Sequence, residues 1–246
     1  MIPRIFIGAD KIHNNIATID GSDLNYLKNV MRLKVGDEIA VLDNKSREFE
    51  SKIISMDKNA IKAKFLAEKQ PKSELKIQVT IAQGLPKNPK MDIIVQKATE
   101  LGAARVIPMM TERSVVKVND KKEIQKKVER WRKIAKEAAE QSGRSVIPVV
   151  DEIKSFREIF LLCDNFDSCV MLWEMEKEKT LKTFLKENKE LKSLLILIGP
   201  EGGFSHDEAS LAKTQGFPTI TIGNRILRTE TAAPAVLSMI NYEFEL

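Results

Sequence analysis

The chain has 246 residues and a formal net charge of +5, with 43% hydrophobic and 30% charged residues. This length and hydrophobic content suffice for one or two domains whose packed cores need no disulfide bonds. The longest apolar run, residues 194–198, has the length of a strand, and the N-terminus lacks a signal-peptide pattern. We therefore expect neither a membrane span nor a signal peptide. The small positive charge permits nucleic-acid binding without requiring it.

Cysteine and histidine usage argues against a metal site. Cys163 and Cys169 are too few and wrongly spaced for a zinc or CxxC redox site, and we expect two thiols in a reducing cytoplasm. His13 and His206 have no metal-ligand partner in the sequence. These features predict a cytoplasmic protein without a bound metal.

The N-terminal part of the chain is typical of short strands joined by turns. Turn residues such as Asp20-Gly21 and Asp43-Asn44 separate the apolar stretches. A short helix is expected over residues 22–31, with Ser22 as a possible N-cap. Together with a plausible linker at residues 70–73, this pattern predicts a small β-barrel. The predicted strands cover residues 4–7, 38–42, 48–55 and 60–67.

From residue 77 onward, strands and helices alternate along the sequence. Such alternation predicts an α/β domain with a parallel sheet that is covered on both faces. The predicted strands cover residues 77–83, 105–109, 146–150, 169–173, 194–199 and 218–223. The predicted helices cover residues 90–101, 120–141, 155–162, 180–188, 205–215 and 231–242.

The most informative segments are two loops near the C-terminus that contain glycine. The first, Gly-Pro-Glu-Gly-Gly at residues 199–203, lets the backbone turn sharply and approach a ligand closely. Ser205 and Glu208 then form the pattern of a capping box. The segment lacks both the GxxxxGK[ST] and the GxGxxG pattern, so it is neither a P-loop nor a dinucleotide fingerprint. Taken alone, a structural turn and a ligand loop fit it equally well.

The second loop, Gly-Asn-Arg-Ile-Leu-Arg at residues 223–228, places Ile226 and Leu227 where polar residues are usual. Apolar residues at a loop tip cover a neighbouring loop or a flat ligand, whereas the alternative is a capping loop with solvated arginines. Pro234 suits the first turn of the helix that follows. Both loops follow an apolar strand, so they predict one pocket at the carboxyl edge of the parallel sheet.

Two further polar clusters leave their role open. Gln141 and Arg144 lie at the end of the longest helix, where a substrate contact and a polar helix terminus capped by Gly143 are about equally consistent. Lys87 and Lys90 open another helix. A cation there opposes the helix dipole and indicates an anion nearby, although solvated lysines are the commoner explanation.

The motifs taken together resemble the RsmE family of ribosomal small-subunit RNA methyltransferases, which belong to the SPOUT class. The resemblance extends over nearly the whole chain. Tyr26 and Met31 depart from the family pattern, which commonly has His and Leu at these positions. The matching segments are residues 198–205, 223–232, 98–102, 113–114, 137–144 followed by Pro148, 3–6 and 30–37.

The resemblance implies a fold, a reaction and partners. The fold is α/β: a small PUA-like β-barrel RNA-binding domain at residues 1–72, then a SPOUT-type parallel sheet with a C-terminal trefoil knot at residues 73–246. The cofactor is S-adenosylmethionine (S-adenosyl-L-methionine), bound bent within the knot of a homodimer. The product is N3-methyluridine in the 16S RNA of the small subunit, and we expect the assembled subunit to be the substrate.

The same resemblance and the position of the loops imply the site residues. Arg228 is the candidate for stabilising the uridine anion, and Glu230 is the candidate for accepting the proton. The expected cofactor-binding residues are Leu172, Ile198, Gly199, Pro200, Gly203, Ile222, Gly223, Ile226, Leu227, Arg228 and Ala232. The expected RNA-binding residues are Arg4, Arg32, Lys34, Lys87, Gln141 and Arg144.

Three alternatives to this function remain at the level of the sequence. A SPOUT methyltransferase that acts on another base or on ribose shares the two loops in kind. A non-catalytic module for RNA binding or ribosome assembly fits the same composition, although the intact loop at residues 199–203 and Arg228 weigh against it. A nucleotide-dependent oxidoreductase is disfavoured by the missing fingerprints.

Overall fold

A computed structural model describes residues 2–70, 73–87, 89–114 and 120–245. Within those ranges, no helix is long and apolar enough to cross a membrane. No group of three His, Cys, Asp or Glu side chains in the same ranges is placed to hold a metal ion. The two cysteines are thiols, as expected, with their sulfur atoms 2.6 Å apart.

The chain divides into two compact units. The N-terminal unit contains Met1–Glu74 and Ala139–Ile147, and the C-terminal unit contains Leu75–Ala138 and Pro148–Leu246. The stretch from Ala139 to Ile147, which includes the C-terminal end of a long helix, therefore belongs to the N-terminal unit. Residue 72, where the sequence places the end of the first domain, lies outside the described part of the chain.

The N-terminal unit is built on a six-stranded sheet with the order β1-β4-β5-β6-β3-β2. Strands β1 and β4 are parallel, and the other neighbours are antiparallel. Alternate residues of the strands point into one apolar core, which includes Ile19, Val41 and Ile53. The strands are β1 Arg4–Phe6, β2 Ile12–His13, β3 Ile16–Ile19, β4 Glu38–Leu42, β5 Glu48–Met56 and β6 Ile61–Lys69.

Strands β2 and β3 form a hairpin that the sequence analysis missed. Asn14 and Asn15 form its turn, with φ values of 50° and 61°. Two consecutive residues of positive φ are typical of the two-residue hairpin turn whose twist matches the strands, and asparagine tolerates that backbone. The Asn-Asn pair between Ile12 and Ile16 was the available signal.

The helix expected over residues 22–31 forms one residue earlier and is irregular. Helix α1 spans Gly21–Asn25 and continues as a π-helical turn over Tyr26–Val30. Its N-cap is Asp20 and not Ser22, because the helix already begins at Gly21.

The strand expected over residues 146–150 forms only as β9, Val149–Val150. The backbone N–H groups of Ser145 and Val146 instead donate to the carboxylate of Glu74, at 2.9 and 3.3 Å. These N–H groups therefore cannot bond to a neighbouring strand.

The C-terminal unit is built on a seven-stranded sheet in which every pair is parallel, which confirms the predicted class. The order is β10-β8-β7-β12-β11-β13, and β9 pairs with β8. The strands are β7 Gln78–Gly84, β8 Arg105–Met110, β9, β10 Lys154–Ser155, β11 Ser168–Leu172, β12 Ser193–Ile198 and β13 Thr219–Ile220.

Helices follow the strands in the expected order. Buried Val128, Trp131 and Ala135 recur at helical spacing on the long helix α3. Gly102 and Gly143 have φ values of +88° and +77°, as a left-handed cap requires. The helices are α2 Lys90–Glu100, α3 Lys121–Ser142, α4 Phe156–Phe160, α5 Leu181–Glu187, α6 His206–Thr214 and α7 Thr229–Phe244.

The last helix begins earlier than predicted. Helix α7 starts at Thr229 and not at Thr231, because Arg228 is its N-cap and the carbonyl of Arg228 accepts from the N–H groups of Thr231 and Ala232. Pro234 therefore lies beyond the first turn, which corrects the prediction. Its missing N–H removes one bond of the helical ladder.

Candidate functional site

The first glycine loop turns sharply between β12 and α6. The N–H of Gly203 donates to the carbonyl of Pro200 at 3.0 Å, and Gly203 has φ +66°, which favours glycine. A Cβ added at Gly199 would lie 3.1 Å from the Cα of Gly203, so the two backbones touch. Ser205 and Glu208 form the predicted capping box, which fixes the start of α6.

The second loop runs from β13 to α7 and is open to solvent. The hydroxyl of Thr221 donates to the carbonyl of Gly223 at 3.0 Å, and Gly223 has φ +137°. Ile226 is 82% exposed, although Leu227 is partly buried. The side chain of Arg228 is 81% exposed at the start of α7.

A buried hydrogen-bond network joins the two loops beneath the sheet edge. Gln83, at the end of β7, is fully buried and donates to the hydroxyl of Thr229 at 2.9 Å. That hydroxyl donates in turn to the carbonyl of Gly199 at 2.7 Å. The network fixes the start of α7 against the first loop. No motif marks Gln83, because it is a single Gln in an apolar strand, whereas Thr229 lies in the matching segment at residues 223–232.

Lys90, at the start of α2, joins the same two segments through ion pairs. Its Nζ lies 3.2 Å from Glu201 of the first loop and 3.1 Å from Glu230 of α7. The N–H of Lys87 also donates to Glu201 at 3.1 Å. The anion indicated by lysines at this helix start is thus a pair of protein carboxylates.

These ion pairs also set the charge states of the site. The hydrogen bonds to Glu230 and then Glu201 raise the pKa of Lys90 above its ordinary value. A bond from its own backbone N–H, and then Lys90, lower the pKa of Glu230 although burial opposes them. Lys90 is therefore charged and Glu230 is ionised at neutral pH, which makes Glu230 a weaker proton acceptor.

One cavity lies between the two loops, with a volume of about 490 Å³. It opens at the carboxyl ends of β11, β12 and β13, where parallel sheets bind ligands. All the residues expected to bind a cofactor line it: Leu172, Ile198, Gly199, Pro200, Gly203, Ile222, Gly223, Ile226, Leu227, Arg228 and Ala232. Glu230 does not line it.

Comparison with known proteins identifies the family. The RNA methyltransferase domain model matches residues 73–241, and the RNA methyltransferase PUA domain model matches residues 19–66. Ribosomal RNA small subunit methyltransferase E of Bacillus subtilis (strain 168) is 41% identical over 93% of this chain and 91% of the relative. The protein of the same name from Synechocystis is 32% identical over 98% of this chain and 78% of the relative.

The chain belongs to the ribosomal RNA small subunit methyltransferase E family. The crystal structure of such an enzyme from Neisseria gonorrhoeae, bound to S-adenosyl methionine, has a TM-score of 0.86 and 27% identity, with 98% of both chains covered. A putative methyltransferase from Legionella pneumophila, in complex with SAM, has a TM-score of 0.89 and 27% identity, with the same coverage.

The site of this family member includes residues that sequence analysis missed. The turn after β11 contributes Trp173, Glu174 and Lys177 to the cavity wall, and Thr221, just before the second loop, also lines it. The turn carries no glycine motif. It belongs to the site because β11 lies next to β12 in the sheet, a pairing that the sequence does not reveal.

Glu176 holds the turn after β11 in place. Its carboxylate accepts from the hydroxyl of Thr219 and from the N–H groups of Lys177, Glu178 and Lys179. These bonds, with that of Thr219 the strongest, lower the pKa of Glu176 to about 2. The turn is therefore organised before any ligand binds.

Two of the expected RNA-binding arginines have internal partners within the N-terminal unit. Arg144 is 3% exposed and pairs with Glu74. Burial alone would raise the pKa of Glu74, but the bond and charge of Arg144 outweigh it and lower that pKa. Arg4 lies 2.9 Å from Glu48 and donates to the carbonyl of Gly143 at 3.2 Å.

The guanidinium groups of Arg4 and Arg144 bond to other residues of the protein. The structure therefore does not support a phosphate contact by Arg144, and little of the Arg4 side chain is accessible to RNA. The remaining expected RNA-binding residues are exposed: Arg32, Lys34, Lys87 and Gln141. Arg32 has φ +56°, which is uncommon for a residue with a side chain.

Proposed function

We propose that the protein transfers a methyl group from S-adenosylmethionine to N3 of one uridine in the 16S RNA of the small ribosomal subunit. The observation that supports this most directly is the cavity of about 490 Å³ between the two glycine loops of a ribosomal RNA small subunit methyltransferase E family member. A ribosomal substrate also implies that the protein acts in the cytoplasm.

The residues around the cavity suit an adenosyl ligand. Its volume falls in the range of small-molecule sites. The side chains of Leu172, Ile198 and Ile222 offer apolar walls to the faces of adenine, and Gly199 and Gly203 line the same cavity with backbone alone. The buried Nε1 of Trp173, a residue of the cavity wall, has no hydrogen-bond partner among the described residues.

When bound, S-adenosylmethionine supplies an electrophilic methyl group on its sulfonium. The residues of this chain must hold the uridine in line with that group and favour loss of its N3 proton to water, so that the anionic N3 accepts the methyl group. Each pKa unit by which the site favours the uridine anion corresponds to about 1.4 kcal/mol. The exposed guanidinium of Arg228, on the cavity wall, can stabilise the anionic oxygens through charge-assisted hydrogen bonds.

We assign Glu230 a positioning role in preference to that of proton acceptor. Its carboxylate bonds to Lys90 and lies outside the cavity wall, and its lowered pKa weakens it as a base. By holding Lys90 together with Glu201, it keeps the first loop next to the start of α7.

We propose that residues 1–72 recognise the RNA and that residues 73–246 transfer the methyl group. The exposed Arg32 and Lys34 support phosphate contacts from the N-terminal part. An extruded or unpaired uridine is the accessible form of the target base. Because the net charge is only +5, shape must contribute to recognition, and we propose the assembled small subunit as substrate.

We also propose that the protein acts as a homodimer. A second cavity of about 710 Å³ lies between α5 and α7 and is lined by apolar side chains that include Leu181, Leu185 and Met239. Met239 is 42% exposed and Tyr242 is 71% exposed on the same helix. A second copy would cover this apolar surface. The trefoil knot implied by the resemblance stays a prediction.

The test measures methyl transfer from labelled S-adenosylmethionine to small subunits from cells that lack this enzyme. Wild type should methylate subunits, and Arg228→Ala should reduce the rate about 100-fold, as loss of a transition-state contact does. Glu230→Gln should reduce the rate less. The control is Arg157→Ala, which removes an exposed cation on α4 outside the cavity wall.

Equal rates for Arg228→Ala and Arg157→Ala would reject the role of Arg228. Absence of transfer by a wild-type protein that binds S-adenosylmethionine would reject the substrate. Protein-free 16S RNA should be a much poorer substrate than the subunit, and equal rates on the two would reject the assembled subunit as the recognised form.

A further inference from the structure

Glu174 occupies a distinctive place beside the first glycine loop. It follows the end of β11 by two residues, and β11 pairs in parallel with β12, the strand that leads into that loop. Parallel strands bring their carboxyl ends to the same edge, so Glu174 and the glycine loop become neighbours there. Glu174 lines the cavity.

The carboxylate of Glu174 lies directly against the backbone of Gly203. A Cβ added at Gly203 would overlap Oε1 of Glu174 and would lie 3.0 Å from its Cδ. A side chain at Gly203 would displace this carboxylate, and the φ of +66° at Gly203 separately favours glycine. The bonds made by Glu176 order the backbone of the turn on which Glu174 lies, and Glu174 lines the cavity from this turn.

Glu174 differs from the other carboxylates around the site because it has no hydrogen-bond or ion-pair partner among the described residues. Glu176 accepts from backbone groups, and Glu201 and Glu230 pair with Lys90. Among the residues that the structure describes, none donates a hydrogen bond to the Glu174 carboxylate, and no cationic group lies within 4.0 Å of it. A half-buried carboxylate of this kind retains two oxygens that accept bonds from a ligand.

The geometry points to the ribose as that ligand group. We propose that Glu174 accepts hydrogen bonds from the ribose hydroxyls of the adenosyl cofactor, an inference that rests on the proposed function. In the dinucleotide-binding α/β fold, an acidic residue near the glycine-rich loop likewise binds a ribose hydroxyl, although there it follows that loop in the chain. The apolar walls for adenine and the glycine backbone lie next to this position.

The α-ammonium of the methionine portion is the competing partner for the carboxylate. The cavity wall also contains Lys177, Arg225 and Arg228, which would attract the carboxylate of that portion. Ligands that lack either the ribose hydroxyls or the amino acid therefore separate the two assignments.

The experiment uses calorimetric binding to the full-length protein, without turnover. The ligands are S-adenosylhomocysteine, its 2′-deoxy and 3′-deoxy analogues, and 5′-methylthioadenosine, which keeps the ribose but lacks the amino acid. Glu174→Gln should weaken binding of S-adenosylhomocysteine and of 5′-methylthioadenosine alike, by about tenfold. The control Glu178→Gln, on an exposed neighbour in the same turn, should bind like wild type.

The deoxy analogues provide a test on the wild-type protein that does not depend on the folding of a variant. At least one of them should bind wild type about tenfold more weakly, and that loss should disappear in Glu174→Gln. Loss of S-adenosylhomocysteine binding with unchanged 5′-methylthioadenosine binding would assign Glu174 to the ammonium and overturn the proposal. Equal losses for the deoxy analogues in both proteins would also overturn it.

Failure of the proposed function would look different from failure of this inference. If wild type bound neither S-adenosylmethionine nor S-adenosylhomocysteine, both would be rejected. If wild type bound them and only the Glu174-dependent losses were absent, the inference alone would be rejected.

Discussion

A few buried or paired polar residues determine the geometry of the site. Gln83 and Thr229 join the end of one strand to the first loop and to the start of α7, and Lys90 pairs with a carboxylate on each side. Gln83 belongs to no recognisable motif, and the bonding partners of Thr229 and Lys90 leave no local signal in the sequence. Their importance follows from what they bond to, because a buried polar group that loses its partner is costly.

Removal of the Thr229 hydroxyl tests the hydrogen-bond network directly. Thr229→Val keeps the shape of the side chain but removes the bond to Gly199 and one partner of Gln83. We expect the free energy of unfolding to fall by about 1–3 kcal/mol, measured by urea denaturation. Thr231→Val, an exposed position on the same helix, is the control. Equal stabilities of the two variants would contradict the network.

At the scale of elements, most strands and helices follow from local sequence patterns. Alternating apolar strands and amphipathic helices predict the parallel sheet, and both glycine loops occur where the pattern places them, after β12 and β13. The structure differs from the predicted elements where a residue bonds to a partner that is distant in the sequence. Residues 145–146 bond to Glu74 and not to a strand, and Arg144 is buried beside the same carboxylate. Such pairings over long sequence separations leave no local signal.

The turn after β11 gives a prediction of pH dependence. The pKa of Glu176 is about 2 in the folded protein, against an ordinary value of 4.5, so its ionised form stabilises the turn above pH 4.5. This contribution declines as the pH falls towards 2. The difference in unfolding free energy between wild type and Glu176→Gln should therefore be largest near neutral pH and should shrink below pH 4.5, measured by urea denaturation. A difference independent of pH would contradict the assignment.

At the scale of the whole molecule, the proposal divides the work between RNA binding and methyl transfer. Replacing Arg32 and Lys34 by Glu should raise the KM for small subunits by about tenfold or more, because phosphate contacts are lost. The affinity for S-adenosylmethionine should stay unchanged. Lys58→Glu, an exposed site on the same N-terminal unit, is the control. A matching rise in KM for Lys58→Glu would indicate only a general charge effect.

The apolar surface on α7 predicts the oligomeric state. Tyr242→Glu places a charge on a side chain that is 71% exposed, so it should leave an isolated chain folded but weaken a dimer. Light scattering after size-exclusion chromatography should show twice the chain mass of 27.8 kDa for wild type and a shift towards the monomer for the variant. A monomeric wild type at micromolar concentration would reject the homodimer.

The most direct test of the central claim is the identity of the methylated nucleoside. Small subunits from cells that lack the enzyme are incubated with the protein and labelled S-adenosylmethionine, and the RNA is digested to nucleosides and separated. The account predicts label in N3-methyluridine at a single site of the 16S RNA. Label in a ribose-methylated nucleoside or in another base would contradict it, even if the cofactor cavity and its residues behaved as described.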